Sequence, residues 1–197
     1  MPFVETDRLL LRKTAPQDYP YFRDYLMDKE MDRMMLRSPC RTEEDARLGF
    51  DWFLNKEKRA YGIVYKSTGN VIGNLTVYDD VPESIADLEV LRGQAGKSLS
   101  FALAASWRRR GLMSEAVRAV IEHLFREEGA DYIHCGYLSY NTPSKALQEK
   151  LGFTPLLTER FQFEGEAMES VENILRRADW EAKIGLTAKR VEEERKI

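Results

Sequence analysis

The chain has 197 residues, of which 43% are hydrophobic and 32% charged, and its formal net charge is -3 at pH 7. This composition predicts a globular domain with a substantial core, and the net acidity argues against nucleic acid as a partner. No apolar run approaches the roughly 18 residues that span a bilayer, and the first residues lack a signal-peptide pattern. We therefore expect a cytoplasmic protein that binds neither membrane nor nucleic acid.

Cysteine and histidine are too few for a disulfide framework or a histidine-rich metal centre. The chain has two of each, and Cys40 and Cys135 lack the paired spacing of zinc ligands. We therefore expect no metal. His134 lies in a strand-like run and is expected to be structural.

Two helix-start signals occur in the first third of the chain. Thr14 and Gln17 form a capping-box pattern with a proline in the first turn, which predicts a helix to about Met27. Thr42 is followed by three acidic residues, which the helix dipole favours at this end, and it predicts a second helix to about Lys56.

Seven apolar runs predict strands, and turn residues join four of them into two hairpins. Gly69-Asn70 suits the first hairpin and Glu164-Gly165 the second. Five acids between residues 79 and 89 predict a solvated loop, or a loop that attracts a cationic amine if it overhangs a cleft. The predicted strands are Thr6–Arg12, Tyr61–Tyr65, Val71–Tyr78, Ser98–Leu103, Asp131–Leu138, Leu156–Phe163 and Glu169–Leu175.

Three arginines and a glycine join the strand that ends at Leu103 to an amphipathic helix from about Met113 to Glu127. A glycine at this junction lets the backbone turn so that the free N–H groups of the helix face an anion. A guanidinium matches phosphate in bidentate geometry. Arg108–Arg110 with Gly111 therefore predict a phosphate-binding loop, and the alternative is an ordinary solvated turn.

A second junction follows the strand that ends at Leu138. Asn141 and Pro143 are turn-forming residues that lead into a short helix, and Gly152 ends it. Residues 1–180 are expected to form a single domain, and residues 181–197 a charged tail.

The two junctions together resemble the motifs of the GNAT acyltransferase superfamily, over about Glu5 to Trp180. The first motif of that family is Arg or Gln, two variable residues, Gly, one variable residue, then Gly or Ala, and it aligns with Arg108–Met113. Met113 departs from the small final residue and leaves less room for a pyrophosphate. The second motif fits Asn141 and Ser144, with the ending Leu151-Gly152-Phe153. The opening segment resembles the ribosomal-protein N-acetyltransferase branch.

The resemblance implies a mixed α/β fold, with a mostly antiparallel sheet of about six to seven strands that splays between its two central strands. It further implies that acetyl-CoA lies in that gap, with pantetheine on the Phe101–Leu103 backbone and pyrophosphate on the loop from Arg108 to Ser114. The implied coenzyme-binding residues are Phe101, Ala102, Leu103, Arg108, Arg109, Arg110, Gly111, Leu112, Met113, Ser114, Asn141 and Ser144.

The implied activity is direct acetyl transfer to a primary amine, either a protein N-terminus or a small molecule. Ser144, with Asn141, is the candidate catalytic group, because Gln148 stands where relatives have a proton-donating tyrosine. Ser144 is interpreted as the acid for the departing thiolate, as a helix cap, or as both. Ser98 replaces a glutamate that serves relatives as base, and Glu89 is the nearest substitute.

A rival interpretation is an acyl-CoA-binding sensor that has lost turnover, because both the tyrosine and the glutamate are missing. The sequence leaves open whether the protein is a monomer or a homodimer.

Overall fold

The computed structural model describes residues 3–184 as a mixed α/β fold with one eight-stranded, mostly antiparallel sheet. The strand order is β1-β2-β3-β4-β5-β6-β8-β7, and β5 and β6 are parallel. The strands are β1 Val4–Glu5, β2 Leu9–Lys13, β3 Arg59–Tyr65, β4 Asn70–Tyr78, β5 Gly96–Leu103, β6 Tyr132–Leu138, β7 Thr154–Phe163 and β8 Glu166–Arg176.

Seven α-helices accompany the sheet in the described part of the chain. The helices are α1 Tyr19–Leu26, α2 Lys29–Met35, α3 Glu43–Leu54, α4 Glu83–Ala86, α5 Leu112–Arg126, α6 Thr142–Leu151 and α7 177–184. The acidic stretch from 79 to 89, predicted as a loop, contains the short helix α4 and the start of a 3-10 turn at Glu89–Leu91. Within residues 3–184, none of the helices combines the length and apolarity needed to cross a membrane.

The sheet has one strand more than the six to seven expected. The additional strand is β1, whose two residues pair antiparallel with Leu10 and Leu11 of β2, and two residues are too few for a periodic pattern. The sheet was expected to splay between its two central strands, and the hydrogen-bonded ladder between these strands is short. β5 and β6 pair only over Gly96–Ser98 and Tyr132–His134, although both strands continue beyond that register.

The described chain divides into two compact units. The first comprises residues 3–78, Leu99–His123 and Phe161–Met168. One cluster of its core contains Phe22, Tyr25, Leu26, Met31, Phe50 and Ala102. The aromatic residues Phe22 and Tyr25 of the first helix are therefore buried in this core.

Helix α1, which contributes to this core, begins differently from the prediction. A 3-10 turn over Pro16–Asp18 comes first, and the side chain of Asp18, rather than Gln17, accepts the N–H of Ala15 at 2.8 Å. Arg12 holds the same carboxylate with two hydrogen bonds of 2.7 and 2.8 Å. The Thr14 hydroxyl is buried and has no hydrogen-bond partner among the described residues, so the predicted capping box is wrong.

The second unit comprises Asp79–Ser98, Leu124–Arg160 and residues 169–184. Its core contains Ile85, Leu91, Tyr132 and Ile174. The tail predicted from residue 181 is helical as far as 184, and its remainder lies outside the described residues.

Candidate functional site

The predicted phosphate-binding loop lies in the first unit, where it connects β5 to α5. Two of its residues have left-handed backbone, Arg109 with φ 62° and Gly111 with φ 76°. The N–H of Glu115 donates to the Gly111 carbonyl at 3.0 Å, so the helical ladder begins there. The N–H groups of the first turn precede that ladder and have no acceptor within the helix. They form the positive end of the helix dipole, which favours an anion.

The three arginines of this loop have different environments. Arg108 points back, and its Nε donates to the Leu103 carbonyl at 3.2 Å. Arg110 lies over the ring of Trp107, 4.9 Å from its centroid. Arg109 is exposed, and no hydrogen bond or ion pair within the described residues holds its guanidinium. Arg110 is exposed as well, and no hydrogen bond or ion pair within residues 3–184 holds its guanidinium. Arg109 and Arg110 are therefore the predicted phosphate ligands whose N–H groups are available to an anion.

Residues near the start of the chain form hydrogen bonds to this loop and to the first turn of α5. The sequence did not predict these contacts. The Thr6 hydroxyl donates to Glu115 Oε1 at 2.6 Å, and Arg8 Nε donates to Glu115 Oε2 at 2.7 Å. Arg8 also donates to the carbonyl of Arg110 at 3.3 Å. Burial by itself would raise the pKa of Glu115, but these hydrogen bonds outweigh it and hold that pKa below its ordinary value. The one sequence feature that could have indicated this contact is Glu115 itself, an acidic residue in the first turn of a predicted helix.

The first turn of α5 also contains an unsatisfied polar group. The hydroxyl of Ser114 is buried and has no hydrogen-bond partner among the described residues. A buried hydroxyl without a partner costs about 1–3 kcal/mol, so a ligand that accepts its proton would remove that cost. Met113, which departs from the family motif, is half-buried beside it.

The predicted pantetheine-binding backbone ends β5. Ala102 and Leu103 are buried, whereas Phe101 is half-buried. The Leu103 carbonyl is already engaged by Arg108. Gly73 of β4 approaches this segment closely, because a Cβ built on it would lie 2.7 Å from the Ala102 carbonyl oxygen.

The other two predicted site residues, Asn141 and Ser144, lie in the second unit at the start of α6. Asn141 is the N-cap, and its Oδ1 accepts the backbone N–H of Ser144 at 3.2 Å. The interpretation of Ser144 as the residue whose side chain caps the helix is therefore wrong. Gly152 ends α6 with φ 100°, as predicted.

The side chain of Ser144 belongs to a chain of hydrogen bonds that all run in one direction. Asn173 Nδ2 donates to Gln148 Oε1 at 2.8 Å, and Gln148 Nε2 donates to Ser144 Oγ at 3.1 Å. The carbonyl of Gly136 accepts from the same Gln148 nitrogen at 3.5 Å, which fixes the orientation of the amide. Gln148 is completely buried. The Ser144 oxygen accepts in this chain, so its own proton is left to donate.

The two positions considered for the base lie in different environments. Glu89 is exposed in a 3-10 turn, and Ser98 is buried against His134. Over residues 3–184 no cluster of three or more histidine, cysteine, aspartate or glutamate side chains could hold a metal ion.

The fold is similar to that of several solved acetyltransferases. The chain superposes on a GNAT-family acetyltransferase from Bacillus anthracis with TM-score 0.73 at 19% identity, covering 88% of this chain and 97% of the other. It superposes on the ribosomal-protein-S5-alanine acetyltransferase of Vibrio fischeri with TM-score 0.65 at 18% identity, covering 91% and 98%. A spermidine N-acetyltransferase from Vibrio cholerae, in complex with CoA and spermine, gives TM-score 0.69 at 13% identity, covering 89% and 99%.

The sequence places the chain in the same class. The model of the acetyltransferase (GNAT) domain matches residues 8–154. The chain belongs to the GNAT acetyltransferase family. No curated protein sequence matches it.

Proposed function

We propose that this protein is an N-acetyltransferase that transfers the acetyl group of acetyl-CoA directly to a primary amine. The observation that carries the proposal is the loop before α5. It combines a left-handed Gly111, N–H groups ahead of the helical ladder, an unengaged Arg109 and an unsatisfied Ser114 hydroxyl. These are the donors that a pyrophosphate requires.

Ser144 is proposed as the acid that protonates the departing thiolate. The donor chain from Asn173 through Gln148 supports this role, because hydrogen bonds in series polarise one another and make the terminal O–H a stronger donor. Gln148 replaces the tyrosine of relatives, and in this proposal it orients and polarises Ser144. Asn141 positions the same residue by capping its N–H.

The reaction joins the amine nitrogen to the acetyl carbon and breaks the carbon–sulfur bond. Acetyl-CoA supplies the thioester, and this chain supplies the anion donors and the proton of Ser144. An α-amino group with pKa near 8 costs about 1.4 kcal/mol to deprotonate at pH 7, whereas lysine near 10.4 costs about 4.6 kcal/mol. This difference favours a protein N-terminus over a lysine side chain. A polyamine is the alternative acceptor, and the two Vibrio enzymes provide a precedent for each.

Two glycine variants test the coenzyme loop. Gly111→Ala and Gly69→Ala both place alanine at a positive φ, 76° and 70°, with ample space around the new methyl group. Both variants therefore bear a similar backbone strain, but only Gly111 lies in the proposed loop. Calorimetric titration with CoA should show about tenfold weaker binding for Gly111→Ala, which is the loss of two or three helix N-terminal contacts. Equal affinity in both variants would contradict the proposal.

Turnover distinguishes the enzyme from a sensor. The protein is incubated with acetyl-CoA and one of three amines: a peptide with a free α-amine, spermidine, or an Nα-blocked lysine peptide. The release of free thiol is then followed. Release with at least one amine is expected, whereas tight CoA binding without release would identify a sensor. The cytoplasmic location and the choice between monomer and homodimer stay predictions.

A further inference from the structure

A second buried chain of polar side chains crosses three strands of the second unit. Ser98 Oγ lies 3.0 Å from His134 Nδ1, and His134 Nε2 lies 2.7 Å from Glu172 Oε2. The Ser170 hydroxyl donates to the other Glu172 oxygen at 2.6 Å. All four residues are less than a tenth exposed.

The strands are arranged so that these groups can meet. Ser98 and His134 form the last register pair of the parallel β5–β6 ladder. Gly136 of β6 pairs with Glu172 of β8, and a Cβ built on Gly136 would lie 2.9 Å from the Glu172 carboxyl carbon. The missing side chain at position 136 therefore makes room for the carboxylate to reach His134.

The chemistry of the groups fixes the direction of the hydrogen bonds. An ionised carboxylate only accepts, so His134 Nε2 carries the proton and Nδ1 accepts from the Ser98 hydroxyl. Burial would raise the pKa of Glu172, but the hydrogen bonds from His134 and Ser170 outweigh it and hold that pKa below its ordinary value. A hydroxyl, an imidazole and a carboxylate in this order form a general-base arrangement.

The charged side chain that contacts this imidazole is the Glu172 carboxylate of β8. The next residue of β6 is the buried Cys135. Burial raises the pKa of Cys135 to about 12, so that thiol stays neutral. Glu172 is therefore placed to stabilise an imidazolium at position 134.

We propose that Ser98, His134 and Glu172 form the proton relay that deprotonates the acceptor amine, a role that rests on the N-acetyltransferase function proposed above. The ammonium N–H bond breaks as its proton passes to Ser98 Oγ, and the Ser98 hydroxyl proton passes to His134 Nδ1. The imidazolium that forms is held by Glu172 through Nε2–H. Ser98 is the catalytic residue that meets the amine, and His134 and Glu172 act through it.

The position of Ser98 supports its place at the open end of the relay. It is the last β5 residue in the ladder with β6. Within the described residues its hydroxyl forms one hydrogen bond, the one to His134. Its oxygen therefore keeps lone pairs that can accept a proton from an amine or from an intervening water molecule.

The test is the pH profile of kcat for one amine, measured for the wild type, Ser98→Ala, Ser98→Thr and Glu172→Gln. Ser67→Ala, in the exposed turn between β3 and β4, is the matched serine control. The wild type should lose activity on the acid side of its profile, because a protonated imidazole cannot accept the Ser98 proton. Ser98→Ala should lower kcat by about 100-fold and Ser98→Thr should restore most of it. Glu172→Gln should move the acid limb about one unit to lower pH.

A purely structural role would leave the acid limb in place while thermal stability falls, and that result would overturn the relay. Full kcat in Ser98→Ala would overturn it as well. The two histidines of the chain allow a second reading by NMR titration, with His123→Gln to assign the signals. The ring-nitrogen signals of His134 should change in Glu172→Gln and stay unchanged in Ser67→Ala. A wild type that transfers acetyl to no amine refutes the proposed function, whereas an active wild type with an unmoved limb refutes only the relay.

Discussion

Replacing Gly73 by alanine should displace the end of β5, although it adds a single methyl group. A Cβ at this residue would lie 2.7 Å from the Ala102 carbonyl oxygen and 2.9 Å from Leu103 Cδ1. Real Cβ atoms do not approach a backbone oxygen so closely, so β4 and β5 must separate. Overpacking of this kind costs about 1–3 kcal/mol, and each kcal/mol lowers Tm by about 2–4 °C in a chain of this size.

Gly62 provides the matched control on the neighbouring strand. It pairs with Asn74, the residue after Gly73, and a Cβ there would meet Val71 at an ordinary 3.6 Å. Replacing this glycine removes freedom from the unfolded chain without a clash, so Gly62→Ala should stabilise the protein by about 0.4–1 kcal/mol. The same substitution on adjacent strands is thus expected to have opposite signs.

Urea unfolding gives the free energy of both variants, and steady-state kinetics gives KM for acetyl-CoA. Gly73→Ala should also raise that KM, because Ala102 belongs to the backbone predicted to bind pantetheine, whereas Gly62→Ala should leave it unchanged. Equal stability of the two variants would refute the steric reasoning. A destabilised Gly73→Ala with normal KM would refute the binding role of this backbone.

Three further predictions follow from buried polar groups. Ser114→Ala removes an unsatisfied hydroxyl and should raise the unfolding free energy of the ligand-free protein by about 1 kcal/mol. Calorimetry should show weaker CoA binding for the same variant. A loss of stability would contradict the prediction. Asp18→Asn breaks the pair with Arg12 and should cost about 3 kcal/mol in urea unfolding, whereas a cost below about 1 kcal/mol would mean that water replaces the pair. Because the pKa of Glu172 is depressed in the folded protein, its contribution to stability is present above about pH 4.3 and is lost as the pH falls through the folded-state pKa. The stability gap between wild type and Glu172→Gln should therefore be full at pH 7 and close in acid, and a gap that is constant with pH would contradict the ionised Glu172.

Predictions from local signals were mostly confirmed. The start of α3 at Thr42 is a capping box with Asp45, and α6 begins at its Asn141 cap and ends at Gly152. These signals involve residues within about four positions of one another, so the sequence states them completely. The predicted cap at Thr14 was wrong because Asp18 accepts the N–H at the start of the helix instead. Asp18 is held in that position by Arg12, a residue of the preceding strand.

Long-range side-chain partners could not be predicted in the same way. Gln148 marked a departure from the family pattern in the sequence, but its partner Asn173 lies 25 residues away on another strand. Glu115 is fastened by Arg8, which is 107 residues distant. No periodic pattern encodes such contacts, because they depend on the register in which strands pair.

The sequence by itself determined the order of the main strands and helices, the glycine turns at Gly69, Gly111 and Gly152, and the two motifs that place the chain in its family. Hydrophobic periodicity, caps and glycines are local properties of a chain, so they can be read in order. Only the tertiary structure decided which arginines of the loop remain available, that Ser114 lacks a partner among the described residues, and that Ser98, His134 and Glu172 lie in contact. Those outcomes depend on which strands become neighbours, and long-range packing fixes that choice.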